Sequence, residues 1–450
     1  MSFAQQTEPW FNEISSLSFA GLSATEDLSL SLSGEAIDYV RFNKALVRQN
    51  TNVEQRVLDF TFQSLNRSLN FKISLSGVVD DDMNALRSLI ERARQEVKVL
   101  QEDPFLVPMK NNGTSREEFS GSPPSGSEVI SYICDATSHV DMAGFFAGGE
   151  LVRANQNSKG QKHWFAIKNF FFDFSLYTVN KDGENKAVKS VYSGTVWDQN
   201  EFKNKIQDCC LQLKIMERPS QNISRGNYRV YLAPGAVSEI LGTASWRGLG
   251  YAAYKRGQSA LNQLIEGKKS LSPLLTLKEN FALGLTRRFN EWGELAPDSL
   301  NLVENGKVQN LLINAKSAKE FSVIANGAAE SEALRSPEIN SGDLKPKDIL
   351  ARLETGIYIN NLHYINWSDL QSARITGMTR YACFWVEKGE IVGPIRDLRF
   401  DETLYRCWGT ELEALTTHSE IDPAIGTYFE REIGGRKIPG MLLRDFAFTL

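Results

Sequence analysis

The spacing of apolar residues changes period along the chain, and each change predicts an element. Pro9 to Leu17 reads as a short helix. Leu28, Leu30 and Leu32 alternate with serines, the period-2 mark of a strand with one buried face. Ile37 to Phe42 and Ala45 to Gln49 flank Asn43-Lys44, which predicts a turn between strands. The alternation returns at Leu58, Phe60 and Phe62 and again at Leu69, Phe71, Ile73 and Leu75, with Asn66-Arg67 as the hairpin turn. Past Gly77 the period lengthens. Asp80, Asp81 and Asp82 precede a stripe of Leu86, Leu89, Ile90, Ala93, Val97 and Leu100. Acidic groups there suit the positive end of a helix dipole.

Asp103 to Ser127 carries Pro104, Pro108, Pro123 and Pro124 among Ser and Gly and predicts a loop. Strands resume at Phe145–Val152, His163–Thr178 and Lys189–Gly194, with Asp182-Gly183 as a hairpin signal. His163 to Tyr177 is the greasiest stretch, but Lys168 and Asp173 interrupt it. It reads as a strand pair and not as a membrane span, which needs about 18 apolar residues. Gln199 to Ile215 predicts a helix, and Pro219 to Gly226 a break. The break divides an N-terminal α+β domain, residues 1–220, from a mixed, β-rich C-terminal domain, residues 221–450. The second half opens with a strand, Tyr228–Leu232. Pro234-Gly235 then leads into one helical region, Ala236 to Ile265. Strand-like pieces follow at Leu274–Leu277, Leu300–Val303, Lys307–Ile313, Gly356–Leu362, Ala382–Val386 and Glu390–Val392, with a short helix at Lys345–Leu353. Antiparallel hairpins without a regular βαβ alternation make this an α+β fold of antiparallel sheets with long helices.

Composition narrows the class. The 450 residues are 42% hydrophobic and 23% charged, ordinary values for a chain with a large core, so whole-chain disorder is excluded. The net charge of −5 lacks the basic footprint of a nucleic-acid binder. Five cysteines without a C-x-x-C spacing make no disulfide framework, and the N-terminus carries no signal-peptide pattern. A cytoplasmic location is expected, with neither nucleic acid nor membrane as partner.

The residues offer little catalytic chemistry by themselves. No two of His139, His163, His363 and His418 stand at metal-ligand spacing, and H-E-x-x-H is absent. His139-Val140-Asp141 is the nearest approach to a ligand pair, and a structural role suits it better. Lys255 and Ser259 lie four apart in the predicted helix and share a face there, a Ser-Lys dyad in spacing alone. Cys209 and Cys210, in an apolar helix, read as core thiols. The glycine-rich phosphate loops and the nucleophile elbow are absent.

The order of patterns resembles the TldD/PmbA family, the modulators of DNA gyrase and metallopeptidase subunits. The resemblance runs from about Asp27 to Leu450. It rests on Tyr39-Val-Arg-Phe-Asn-Lys-Ala-Leu-Val-Arg-Gln49, Asp103-Pro104 and the turn Asn157-Ser158-Lys159-Gly160. Its C-terminal part is more specific: Tyr231-Leu-Ala-Pro-Gly-Ala-Val-Ser-Glu-Ile-Leu241, Lys255-Arg256-Gly257-Gln258-Ser259, Ser272-Pro273-Leu274-Leu275-Thr276 and Phe289-Asn290-Glu291-Trp292-Gly293. Gly356-Ile-Tyr-Ile359, Thr376-Gly377 and Phe384-Trp385-Val386-Glu387-Lys388-Gly389-Glu390-Ile391 are similar to the PmbA (TldE) branch.

The resemblance implies where catalysis would sit. Catalytic members carry His-Glu-x-x-x-His in the central helix. Counted back from the Arg-Gly-x-Ser element, those positions hold Gly242, Thr243 and Arg247. Gly has no ligand atom, Arg keeps its proton, and Thr is no general base. The resemblance therefore implies the TldE-like branch, a non-catalytic subunit that binds no metal itself. Its expected partner is a TldD-like, metal-bearing subunit, with a homodimer as the alternative, and its substrate a peptide or unfolded protein. Arg256, Ser259, Tyr358, Thr376 and Gly377 are the candidate peptide or partner contacts. The family's Thr-Gly-Asp-Tyr-Ser-Arg-Gly segment reads Thr376-Gly377-Met378-Thr379-Arg380-Tyr381 here, a departure that leaves room for a self-associating peptide-binding scaffold. A metal-independent hydrolase using Ser259 and Lys255 is a third expectation.

Overall fold

The computed structural model describes residues 1–449. The chain opens with α1 (Phe3–Ala20). Its start is fixed by a capping box: the Ser2 hydroxyl accepts from the Gln5 amide, and the Gln5 side chain accepts from the Ser2 amide. This cap starts the helix well before Pro9, the residue that marked the predicted start, and Pro9 lies inside it. Three long strands follow, β1 (Glu26–Asn43), β2 (Leu46–Ser64) and β3 (Arg67–Leu75), joined by the two hairpins that the alternation predicts. Next is α2 (Val79–Glu96). Of its acidic triplet, Asp82 is the buried member, and it accepts from the Ser76 and Gly77 amides and from the Trp10 indole.

The proline-rich segment is not wholly a loop, because it holds β4 (Thr114–Phe119) and leads into α3 (Gly126–Thr137). The Ser125–Glu128 capping box starts α3 inside a stretch whose Ser and Gly content predicts a turn. β5 (Asp141–Asn157), β6 (Lys162–Val179) and β7 (Asn185–Gly194) complete the first sheet, and α4 (Gln199–Met216) closes that half. His163 to Tyr177 thus lies in one strand, not a strand pair. β6 is covered on both faces, so it carries no period-2 alternation. The sheet runs β3-β2-β1-β5-β6-β4, with β7 beside the far end of β6. All pairs are antiparallel except β4 with β6.

α1 and α2 cover one end of this sheet over Leu30, Leu32, Phe60 and Phe62. α3 and α4 cover the other end over Phe42, Phe146, Phe172 and Phe174.

The second half begins with β8 (Gly226–Leu232) and α5 (Pro234–Ser245). The single helix expected to Ile265 does not form. Instead Trp246 is extended, Arg247 is left-handed with φ 63°, and two short helices follow, α6 (Tyr251–Lys255) and α7 (Asn262–Ile265). Gly248 explains the break: a Cβ there would stand 2.0 Å from the Ala244 carbonyl.

β9 (Leu277–Asn280), β10 (Ser299–Glu304), β11 (Lys307–Val308), α8 (Ala315–Phe321), β12 (Pro337–Ile339) and α9 (Ile349–Leu353) follow. The chain ends in β13 (Gly356–Asp369), β14 (Arg374–Glu387), β15 (Glu390–Pro394), β16 (Arg399–Thr403), β17 (Leu412–Pro423) and β18 (Gly435–Phe448). β8, β13, β14, β16 and β18 pair in a closed ring, since β18 returns to β8 as well as to β16. The apolar face of α5 (Val237, Ile240, Leu241) joins Val230, Leu232, Ile357, Ile359, Met441 and Leu443 in its core.

Two features bind the halves together. Ala382 and Phe384 of β14 are buried in the α4 and β7 core. The segment between β17 and β18 also reaches the first sheet, where buried Arg431 donates to the Asn169 carbonyl while its amide donates to Glu35. Among the described residues no helix is long and apolar enough to cross a membrane.

Candidate functional site

A cavity of 1050 Å³ lies between the two halves. Lys189 to Val191 of β7 and Cys209 and Gln212 of α4 wall it on one side. Gly235 and Glu239 of α5, Tyr358 to His363 around β13, and Glu420 to Pro423 of β17 wall it on the other. Among the described residues β7 pairs with β6 alone. β17 pairs with β18, and on its other edge residues 415–417 bond to Gly342 and Leu344, which leaves the edge from His418 onward. The two strands therefore bring edges to the same cavity.

α5 presents its N-terminal half to the cavity because Pro234 starts the helix at the wall. Ser238 and Gly242 are four apart and share a helix face. Ser238 is buried and donates to the Asp422 carboxylate. Arg436 Nη1 donates to the Ser238 hydroxyl at 2.9 Å and to its carbonyl at 3.0 Å, and lies 3.9 Å from Asp422. Arg436 Nη2 stands 3.1 Å from where a Cβ on Gly242 would be. An arginine from β18 thus reaches over Gly242. Burial raises the Glu239 carboxyl above its ordinary value, opposed by the nearby Arg436 charge.

These residues do not suit a divalent metal. Gly242 offers no donor and sits against a fixed cation. The Thr243 hydroxyl is turned back to the Glu239 carbonyl at 3.2 Å. Arg247 is exposed beyond the helix end, with its guanidinium over the Trp246 ring. Among the described residues, no three His, Cys, Asp or Glu side chains stand together as metal ligands.

The candidate contacts scatter. Tyr358 lines the cavity with its ring 4.9 Å from that of Tyr231, and burial pushes its hydroxyl up to about 12. Arg256 is exposed and pairs with Glu320 at 2.7 Å. The Thr376 hydroxyl donates to the Phe400 carbonyl, and Gly377 packs on the Phe400 ring, both away from the cavity.

Ser259 is fully buried. It donates to the Gly248 carbonyl at 2.6 Å and accepts from the Leu261 amide. It lies outside any helix, so the shared helical face that would pair it with Lys255 is not formed. Lys255 lies instead over the Tyr251 and Tyr254 rings. The Ser-Lys dyad is therefore corrected to a structural brace and a surface cation. Burial raises the Cys209 thiol to about 11, in keeping with a core residue, and His139 Nε2 stands 3.7 Å from Cys210 Sγ. Arg287, Asp422 and Arg436 carry no local motif. They line one cavity only because the loop after β9 and the strands β17 and β18 come together in space.

The sequence of residues 225–450 matches the family model described as the PmbA/TldA metallopeptidase C-terminal domain. The chain belongs to the PmbA/TldD family. Solved structures agree with the family in fold. TldE from Thermococcus kodakarensis superposes with a TM-score of 0.79 at 12% identity, over 98% of this chain and 100% of that one. A proposed modulator of a DNA gyrase from Thermotoga maritima gives 0.78 at 13%, over 98% and 100%. Another from Bacteroides thetaiotaomicron gives 0.75 at 15%, over 98% of each. At such identities the likeness is one of fold. No curated protein matches the sequence.

Proposed function

We propose that the chain is a TldE-like, non-catalytic subunit of a cytoplasmic TldD/TldE-type metallopeptidase. It pairs with a TldD-like subunit that holds the metal, and it helps to hold an extended peptide. The observation that carries this reading is Arg436 over Gly242, a cation at the position where catalytic relatives place a ligand. The edges of β7 and β17 support the peptide part, because an extended chain pairs with such an edge through its backbone and needs few particular side chains. Tyr231 and Tyr358 add flat apolar surface beside that path.

Affinity purification of the tagged chain from its own host, read by mass spectrometry, tests the pairing. A near-stoichiometric relative with His-Glu-x-x-x-His is expected, and the pair should cleave an unfolded reporter peptide faster than that relative alone. Recovery of the bait only, at dimer mass, overturns the subunit reading in favour of a peptide-binding homodimer.

A further inference from the structure

Four arginines, Arg153, Arg287, Arg335 and Arg436, line the same cavity. Three of them are spent on the protein itself, Arg436 on Ser238 and Asp422 as described above. Arg335 donates to the Phe289 carbonyl at 3.1 Å and the Gly327 carbonyl at 2.7 Å, with longer bonds to the carbonyls of Arg287 and Arg288. Arg153 donates to the Val152 carbonyl at 2.9 Å and the Arg431 carbonyl at 3.0 Å, and pairs with Glu430 at 3.5 Å.

Arg287 differs. Its one acceptor among the described residues is Glu291, four residues on, at 3.4 Å. A guanidinium has five N–H donors in a planar fork. Its side chain is 19% exposed, and it lines the cavity. Its stem packs beneath, with the guanidinium 5.2 Å from the Phe289 ring centre. Glu430 and Asp59 offset part of its charge from a distance, but the fork of donors needs hydrogen-bond partners, and the described residues supply a single long one.

We infer that Arg287 is the anchor for a carboxylate of the bound peptide, taken bidentately by the free side of its guanidinium. This deepens the proposed function and rests on it. Carboxylate is the chemistry that matches a planar fork of donors. Backbone pairing along β7 and β17 is indifferent to sequence, so Arg287 supplies register or selectivity that the edges lack. The carboxylate comes from an acidic side chain or from the peptide's own C-terminus, and the experiment separates these.

The probes are fluorescein-labelled extended peptides offered to the intact protein and followed by anisotropy. One set ends in a free carboxylate, a second is the C-terminal amide, and a third is amidated with Glu at successive positions. At least tenfold tighter binding of one carboxylate-bearing set over the plain amide is expected, and the set that wins names the source. Arg287→Gln should erase that advantage and leave the plain amide bound as before. Arg287→Lys, which keeps the charge without the fork, should retain part of it. Equal affinity for all sets, or an advantage that survives in Arg287→Gln, overturns the inference and leaves the peptide reading standing. Failure of every peptide to bind overturns both. An unchanged melting temperature in Arg287→Lys keeps the comparison readable should Arg287→Gln not fold.

Discussion

Gly293 holds one of the tightest places in the chain. Its φ is 74°, and a Cβ there would lie 1.8 Å from Gln161 Nε2. Gln161 cannot move aside easily. It is buried and bonded to Asn155, to the Trp292 carbonyl and to the Asn112 amide. Gly293→Ala is therefore expected to cost about 2–4 kcal/mol, from left-handed strain and overpacking together. A lowered midpoint in urea with an unchanged slope would check it. Ser259→Ala leaves the Gly248 carbonyl and the Leu261 amide without their partner, so a loss of about 1–3 kcal/mol is expected. Any peptidase activity of the pair should persist in the remaining folded protein. A variant that folds as wild type but loses activity would return Ser259 to the chemistry.

At the scale of elements, Phe384 shows how one strand serves two bodies. It sits on β14 in the second sheet, yet it is buried among Phe174, Leu213 and Met216 of the first half. Phe384→Ala is expected to cost about 3–5 kcal/mol. It should also split one unfolding transition into two, as seen by calorimetry. A single transition at wild-type temperature would mean the halves are coupled elsewhere.

Elements of this kind differ in how well they read in sequence. The hairpins β1–β2 and β2–β3 were legible because one face is buried and one is wet, and α4 because its stripe is regular. β18 was not. It is buried on both faces through its middle and interrupted by Pro439 and Gly440, so no period survives. β4 hid among prolines, and Arg247 ended a helix that composition would have continued. The site was legible only in part. Tyr358 was visible through its family motif, but Arg287 and Arg436 look like ordinary surface arginines until the loop after β9 and the start of β18 are placed around one cavity.

For the whole molecule, pH acts at the junction of the two halves. His163 on β6 is buried, stacks on Phe289 from the other half at 5.3 Å, and holds its Nδ1 2.8 Å from the Ser115 hydroxyl. Burial lowers its pKa from the ordinary 6.5, so the unfolded chain takes the proton more readily. Its contribution to stability is complete above about 6.5 and is lost as pH falls toward the folded value. Wild type should lose melting temperature between pH 7 and 5 more steeply than His163→Phe. Parallel curves would remove His163 from the account.

The closed ring of the second half bears on how the protein is made. β8 needs β18 beside it, and β18 leaves the ribosome about two hundred residues after β8. The first sheet draws on residues up to Gly194 alone and can form while synthesis continues. Val230, Leu232 and the apolar face of α5 have no such option. They stay uncovered in the nascent chain until translation reaches Met441 and Leu443. A newborn chain therefore passes through a stage with a formed first sheet, still lacking Phe384 in its core, and a bare second half, the stage at which chaperone holding matters most.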